Sequence, residues 1–198
     1  MSEAKVDSDR RTWIAITCGA GAVGGVAAAV PFVASFAPSE RAKAAGAPVQ
    51  ADISALRPGE KMTVEWRGKP VWIVRRTPEQ VAELPKLDDQ LADPFSKRNP
   101  AELTPEYARN IPRSIKPEYL VCVGICSHLG CSPIDKFTPG AQPSLPDDWQ
   151  GGFLCPCHGS TFDMAGRVFK NKPAPDNLEV PPHMYLSDTL LLIGEDKA

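Results

Sequence analysis

Two short boxes of cysteine and histidine constrain this chain more than any other feature of its sequence. They read Cys126-Ser-His128-Leu-Gly-Cys131 and Cys155-Pro-Cys157-His158-Gly-Ser160. Each box offers one Cys and one His at ligand spacing, together with a further Cys. An iron atom in a two-iron, two-sulfide cluster needs two protein ligands, so two Cys can hold one iron and two His the other. The boxes therefore predict one metal centre built from two loops.

The mixture of ligands has a chemical consequence. A neutral imidazole in place of an anionic thiolate leaves the cluster with less negative charge, so the cluster accepts an electron more readily. An imidazole is also a group that can carry a proton near neutral pH. The boxes thus favour a centre that couples electron transfer to proton transfer.

The boxes resemble those of high-potential Rieske proteins, the iron–sulfur subunits of ubiquinol–cytochrome c reductase (the cytochrome bc1 complex). The resemblance is close over residues 115–182. It implies a [2Fe–2S] cofactor whose metal ligands are Cys126 and Cys155 on one iron and His128 and His158 on the other. It also implies a disulfide between Cys131 and Cys157 that ties the two loops together.

The same resemblance implies residues that tune and shield the cluster. Ser160 is expected to donate a hydrogen bond to a bridging sulfide, which stabilises the reduced, more negative cluster. Phe162 stands where the family often has a Tyr whose hydroxyl bonds a ligand sulfur, and Phe cannot form that bond. Pro173 and Pro175 match a proline-rich loop that covers the cluster and shields it from water.

For activity, the resemblance implies oxidation of a membrane quinol by a subunit of a proton-translocating quinol–cytochrome c oxidoreductase. His158 and His128 are the expected catalytic residues, with His158 accepting the hydrogen bond of a quinol hydroxyl. The electron then passes to a c-type cytochrome. The implied partners are the cytochrome b and cytochrome c1 subunits of a dimeric complex, and Leu129 and Gly130 are expected at the tip that docks against cytochrome b.

Two alternatives remain open from the sequence. The chain could be an exported Rieske subunit of another oxidase, such as arsenite oxidase. It could also be a zinc-stabilised binding module of the cell surface, because two Cys and two His on Cys-x-His and Cys-x₂-His arms also suit a structural zinc ion. A role in nucleic-acid binding has no electrostatic support, since the formal net charge is only −2.

The N-terminal region carries a long apolar run. The 25 residues from Trp13 to Ala37 contain no charge and would span roughly 37 Å as a helix, which is enough for a retained transmembrane anchor. A cleaved signal peptide is the alternative, although its apolar region is usually only about 7–15 residues. Arg10 and Arg11 precede the run and resemble a twin-arginine export signal, the alternative being an ordinary positive flank.

Together these features predict the order of domains. A cytoplasmic tail (1–12) precedes the anchor (13–37), a flexible hinge (38–48) and a head (49–198) with a cluster-binding subdomain at about 119–176. A disulfide requires an oxidising compartment, so we expect a single-pass protein of the bacterial inner membrane with its head on the periplasmic side.

The head is predicted to be mainly β, an antiparallel β-sandwich that carries the small cluster-binding subdomain. Residues 62–66 and 71–75 predict a hairpin with a turn at 67–70, residues 119–123 a buried strand, and residues 184–193 a second hairpin. Thr77 and Pro78 are typical of a helix start. Residues 93–117 are rich in proline and charge and predict a surface loop.

Overall fold

The structure of the protein is a computed structural model that describes residues 7–40, 42, 46–98 and 103–196. The chain divides into two compact units, Met1–Ala44 and Ala45–Ala198. Residues 1–6 of the predicted tail and residues 41 and 43–45 of the predicted hinge lie outside the described residues. The domain boundaries therefore stay predictions.

The described part of the first unit contains one long helix, α1 (Ser8–Ala34). It begins before the apolar run because the Asp7 carboxylate accepts hydrogen bonds from the backbone N–H groups of Asp9 and Arg10, at 3.1 and 3.2 Å. Its 27 residues span about 40 Å, and its most apolar window has a mean hydropathy of 1.8. By length and composition, this helix can cross a membrane.

The head is mainly antiparallel β, as the sequence predicts. Its described residues form three sheets of three strands, which we name the base sheet (order β1-β9-β8), the middle sheet (β2-β3-β4) and the box sheet (β5-β6-β7). The strands are β1 (Val49–Asp52), β2 (Lys61–Trp66), β3 (Lys69–Arg75), β4 (Tyr119–Val123), β5 (Ile134–Lys136), β6 (Gly152–Leu154), β7 (Thr161–Asp163), β8 (His183–Tyr185) and β9 (Leu190–Ile193).

The middle sheet is covered on both faces. Successive side chains of a strand point to opposite sides, so Val71 and Ile73 of β3 join the core shared with the base sheet. Trp72 and Val74 join the second core, which is shared with the box sheet. This arrangement explains why β4 is a continuous apolar run in which every residue is buried. The base and middle sheets form the predicted sandwich, and the box sheet packs against the opposite face of the middle sheet.

The β2–β3 hairpin turns on two residues rather than the four that the sequence predicts. Arg67 and Gly68 have φ angles of 52° and 71°, which matches a two-residue turn whose twist suits the flanking strands. Lys69 and Pro70 are already part of β3. The turn is tighter because glycine adopts positive φ without steric penalty.

A capped helix follows β3, as predicted. The Thr77 hydroxyl accepts a hydrogen bond of 3.3 Å from the Gln80 backbone N–H, and the Gln80 side chain accepts one of 2.9 Å from the Thr77 N–H. This reciprocal pair starts helix α2 (Pro78–Glu83). A 3-10 helix, Leu84–Gln90, follows α2. It precedes the predicted surface loop 93–117, which we call the insert.

The prediction of a surface loop over 93–117 is wrong for part of its described residues (93–98 and 103–117), because several of them are buried. Arg113 and Ser114 are 1% and 2% exposed, and Ala108 is completely buried. A guanidinium group can be buried when its N–H groups donate to carbonyl and hydroxyl oxygens, and the Arg113 side chain does so. Composition alone does not reveal such hydrogen bonds. The polar residues of 93–117 therefore suggest a solvent-exposed loop although several of them are buried.

Candidate metal centre

The two boxes fold into loops with the same backbone. In the first, the Cys126 N–H donates to the Cys131 carbonyl at 2.8 Å and the Gly130 N–H donates back to the Cys126 carbonyl at 3.1 Å. In the second, the Cys155 N–H donates to the Ser160 carbonyl at 2.7 Å and the Gly159 N–H to the Cys155 carbonyl at 3.0 Å. The fifth residue of each loop is a glycine with φ of 81° or 73°. Each loop therefore holds its first Cys in an equivalent position.

The box sheet brings the loops to one end. The second box connects β6 to β7, whose last pair is Leu154 with Thr161. The first box follows β4 and leads into β5, where Ile134 pairs with the same Leu154. The two loops are far apart in sequence, but both therefore lie at the same end of the box sheet.

The four predicted ligands differ in their exposure. Cys126 and Cys155 are 2% and 1% exposed, and both are free thiols. The rings of His128 and His158 lie 4.7 Å apart, centroid to centroid, at an angle of 87°. His128 is partly exposed and His158 is exposed. The sulfur donors therefore face the core and the nitrogen donors face the outside.

The two thiols influence each other. Burial raises the pKa of Cys126 above its ordinary value, and a hydrogen bond and the charge of Cys155 raise it as well. The His128 backbone N–H and the Ser160 hydroxyl act in the opposite direction and lower the pKa of Cys126. These donors stabilise a negative charge on the Cys126 sulfur, which is the form that binds metal.

The expected disulfide is present between Cys131 and Cys157, with a Cα–Cα distance of 6.6 Å. The sulfur atoms of these two residues and of Cys155 lie within 4.8 Å of one another. Because two of the three are joined in the disulfide, only Cys155 among them can donate a thiolate to a metal. The disulfide leaves the described head with two thiols and two imidazoles at the box loops.

A proline-containing loop, residues 172–176, is hydrogen-bonded to both boxes. The Ala174 N–H donates to the Ser160 hydroxyl oxygen at 3.0 Å. The Ser127 hydroxyl donates to the Asp176 carbonyl at 2.6 Å and accepts from the Asp176 N–H at 3.2 Å. Sequence reasoning did not single out Ser127, since its partner is 49 residues away. Pro173 and Pro175 themselves are exposed.

Comparison with known proteins decides the family. Residues 95–182 match the family model described as the Rieske [2Fe–2S] domain, and residues 1–39 match that of the ubiquinol–cytochrome c reductase Fe–S subunit TAT signal. The chain is 58% identical to the ubiquinol–cytochrome c reductase iron–sulfur subunit of Allochromatium vinosum, over 95% of this chain and 89% of that protein. It is 41% identical to the subunit of the same name from Bradyrhizobium diazoefficiens, over 93% and 94%. The chain belongs to the family of ubiquinol–cytochrome c reductase iron–sulfur subunits.

A solved structure also resembles this family member. A chain of a hyperthermophilic respiratory complex III matches with a TM-score of 0.45 and 28% identity, over 90% of this chain and 98% of that chain.

As a Rieske domain, the head carries a [2Fe–2S] cluster, and its residues fit that group. Two buried thiols and two outward-facing imidazoles supply two sulfur and two nitrogen donors, the set that such a cluster uses. The comparisons do not favour the zinc module or the subunit of another oxidase. The assignment of individual ligands stays a prediction.

The two predicted tuning positions, Ser160 and Phe162, both lie in the interior of the head. Ser160 is completely buried, and a hydrogen bond from its hydroxyl lowers the pKa of Cys126. Phe162 is also completely buried, on β7 opposite Phe153 of β6. At the loop tip, Leu129 is 71% exposed and Gly130 is exposed. These placements are compatible with the predicted roles in tuning and docking, which stay predictions.

Proposed function

We propose that this chain is the [2Fe–2S] subunit of a cytochrome bc1 complex and carries single electrons from a membrane quinol to a c-type cytochrome. The observation that carries the proposal is the asymmetry of the site, with two imidazole rings 4.7 Å apart on the outside and two thiols in the core. The bound cluster supplies a one-electron acceptor at that place. The name shared by its curated relatives supports the same function.

The ligands divide by burial. Cys126 and Cys155 would hold one iron, since both thiols are buried and close enough to affect each other. His128 and His158 would hold the other iron, and their partly or fully exposed rings would offer a route from the centre to a molecule docked on the head. The Cys131–Cys157 disulfide keeps the two loops at the spacing that this set of ligands needs.

Histidine gives the reaction its proton acceptor. His158 is exposed, so its outer ring nitrogen can accept the hydrogen bond of a quinol hydroxyl and take the proton as the electron leaves the quinol. His128 is the second such group. Leu129 offers an exposed apolar side chain beside them for contact with cytochrome b.

The N-terminal helix anchors the head. Helix α1 serves as a retained, single-pass anchor in the bacterial inner membrane, and the match of residues 1–39 to a TAT signal supports export of a folded domain. The disulfide favours a head on the periplasmic side. A hinge at 38–48 would differ in length by roughly 20 Å between its helical and extended forms. Such a change would let the head move between cytochrome b and cytochrome c1.

Purification of the native complex in gentle detergent tests this function. We expect the chain to copurify with b-type and c-type haem, to give an electron paramagnetic resonance signal of a reduced [2Fe–2S] cluster, and to be reduced by added quinol. Stoichiometric zinc without that signal would favour the binding module instead. A cluster signal without either haem would favour the subunit of another oxidase.

A further inference from the structure

Two residues with an unusual backbone conformation meet inside the head. Ser96 and Arg113 have φ angles of 51° and 48°, in the left-handed region that side chains other than glycine rarely adopt. They are 3% and 1% exposed, and the Arg113 Nε–H donates to the Ser96 hydroxyl oxygen at 2.8 Å. Such a conformation costs free energy and persists only where the surrounding contacts hold it. The surrounding contacts therefore restrain the backbone at Ser96 and Arg113.

Arg113 connects three segments of the head through its two terminal nitrogens. One donates to the carbonyl oxygens of Ala165 and Gly166, at 3.0 and 3.2 Å, in the turn after β7. The other donates to the Thr104 hydroxyl at 2.8 Å and to the Leu178 carbonyl at 2.7 Å. The insert, the hairpin of the second box and the chain leaving the proline loop thus meet at one guanidinium group.

Asn177 extends these bonds to the proline loop. Its side-chain amide donates to the Ser96 hydroxyl at 3.1 Å and to the Asp93 carbonyl at 2.9 Å. Its side-chain oxygen accepts from the Val168 N–H at 2.9 Å. Asn177 directly follows Asp176, whose backbone is bonded to Ser127 of the first box. We call Ser96, Arg113 and Asn177 the hub.

We propose that the hub fixes the exit of the proline loop and thereby keeps the loop seated on both boxes, which makes its three members positioning residues for the proposed electron transfer. Asn177 lies three residues after Ala174, so a fixed exit limits how far the Ala174 N–H can move from the Ser160 hydroxyl. The bond from the Ala174 N–H holds the completely buried Ser160 hydroxyl in place at the end of the second box. The inference rests on the proposed function for its purpose, but its effect on the cluster does not require quinol.

Substitution of Ser96 by alanine tests the hub with a small change. Ser96→Ala removes the one oxygen that accepts from both Arg113 and Asn177. The matched control is Ser114→Ala. Ser114 lies in the same segment and is likewise buried, at 2% exposed, and its hydroxyl accepts a bond of 2.9 Å from another buried arginine, Arg76. Neither Ser114 nor Arg76 bonds to the described residues of the proline loop.

Both variants are measured in the full chain, within the cluster-loaded native complex. For Ser96→Ala we expect hydrogen exchange of the backbone amides in 172–178 to become at least tenfold faster. We also expect the ratio of reduced to oxidised cluster at a fixed applied potential to fall about threefold, because the hydrogen bond that Ser160 is expected to donate to the cluster is loosened. For Ser114→Ala we expect less than a twofold change in either quantity, whatever its effect on thermal stability.

The outcomes separate a positioning role from a purely structural one. Unchanged exchange and an unchanged redox ratio in Ser96→Ala would overturn the proposal, and so would an equal shift of both quantities in Ser114→Ala. The potential is set chemically and read by electron paramagnetic resonance, so the result does not depend on quinol oxidation. A failure of the proposed function would instead appear in the unsubstituted protein, as a complex that quinol does not reduce.

Discussion

The hydroxyl oxygen of Ser160 accepts a hydrogen bond of 3.0 Å from the backbone N–H of Ala174, so one buried side chain joins the second box to the proline loop. A hydrogen bond from the Ser160 hydroxyl also lowers the pKa of the Cys126 thiol. A single serine thus binds the proline loop and also stabilises negative charge on Cys126, a predicted ligand. We therefore expect the reduction potential of the cluster to depend on how firmly the proline loop is held on the second box.

Phe162 offers a position for a further hydrogen-bond donor, because the family often has a Tyr there whose hydroxyl bonds a ligand sulfur. We expect Phe162→Tyr to raise the reduction potential by about 40 mV, since one hydrogen bond of about 1 kcal/mol to a ligand sulfur would favour the reduced state. A redox titration of the cluster in the full chain measures the shift. Phe153→Tyr is the control, because Phe153 is equally buried but stacks on Trp72 at 5.1 Å. An equal rise in both variants, or none in Phe162→Tyr, would contradict the expected geometry.

The disulfide should contribute much of the stability of the box loops. Replacing Cys131 and Cys157 together by alanine removes a cross-link between residues 26 apart, and we expect the free energy of unfolding to fall by roughly 3–4 kcal/mol. The decrease in stability is measured by heating each variant and recording the loss of the visible absorbance of the cluster. Cys122→Ala provides the comparison, with an expected loss of about 1 kcal/mol, since Cys122 is buried and free. A double variant no less stable than Cys122→Ala would argue against a structural role for the disulfide.

Local sequence patterns predicted the elements that depend on near neighbours. The strand Tyr119–Val123, the cap at Thr77 and the hairpin at Arg67 each follow from residues within a few positions, and the structure contains all three. The pairing of β1 with β9 was not predicted, because it joins Val49 to Ile193 and no local signal specifies a partner so distant.

The site shows the same division. The boxes identified the ligand types because Cys and His at such spacings have few other uses, whereas the pairing of the disulfide came from a resemblance and not from spacing. The contact of Ser127 with Asp176 and the burial of Arg113 could not be read from the sequence. Both depend on backbone carbonyls whose positions exist only after the chain has folded.

The glycines of the site should differ sharply in their tolerance of a side chain. Gly130 and Gly159 have φ angles of 81° and 73° and open space around the position of a Cβ atom, so replacement of either by alanine should cost only about 1–2 kcal/mol of unfolding free energy. In Gly152→Ala the new Cβ would collide with the Phe162 carbonyl oxygen across the β6–β7 pair. We expect a loss of several kcal/mol there. Denaturant unfolding of the three variants checks the order, and equal losses would contradict it.

The last prediction concerns His183, the histidine outside the boxes. Its side chain is 1% exposed and its Nδ1 lies 2.8 Å from the Pro181 carbonyl oxygen. Burial lowers the pKa of His183 below its ordinary value of 6.5, although the bond to Pro181 partly opposes this. The folded protein therefore keeps the ring neutral at a pH where the unfolded chain takes up a proton.

It follows that the contribution of His183 to stability is fully present above pH 6.5 and is lost as the pH falls toward its folded-state pKa. Between pH 7 and 5 we expect the free energy of unfolding to decrease more steeply in the unsubstituted protein than in His183→Gln, by up to about 1.4 kcal/mol per pH unit. Denaturant unfolding at several pH values measures both slopes. The box histidines contribute equally to the two proteins, so parallel slopes would show that His183 does not stay neutral in the folded head.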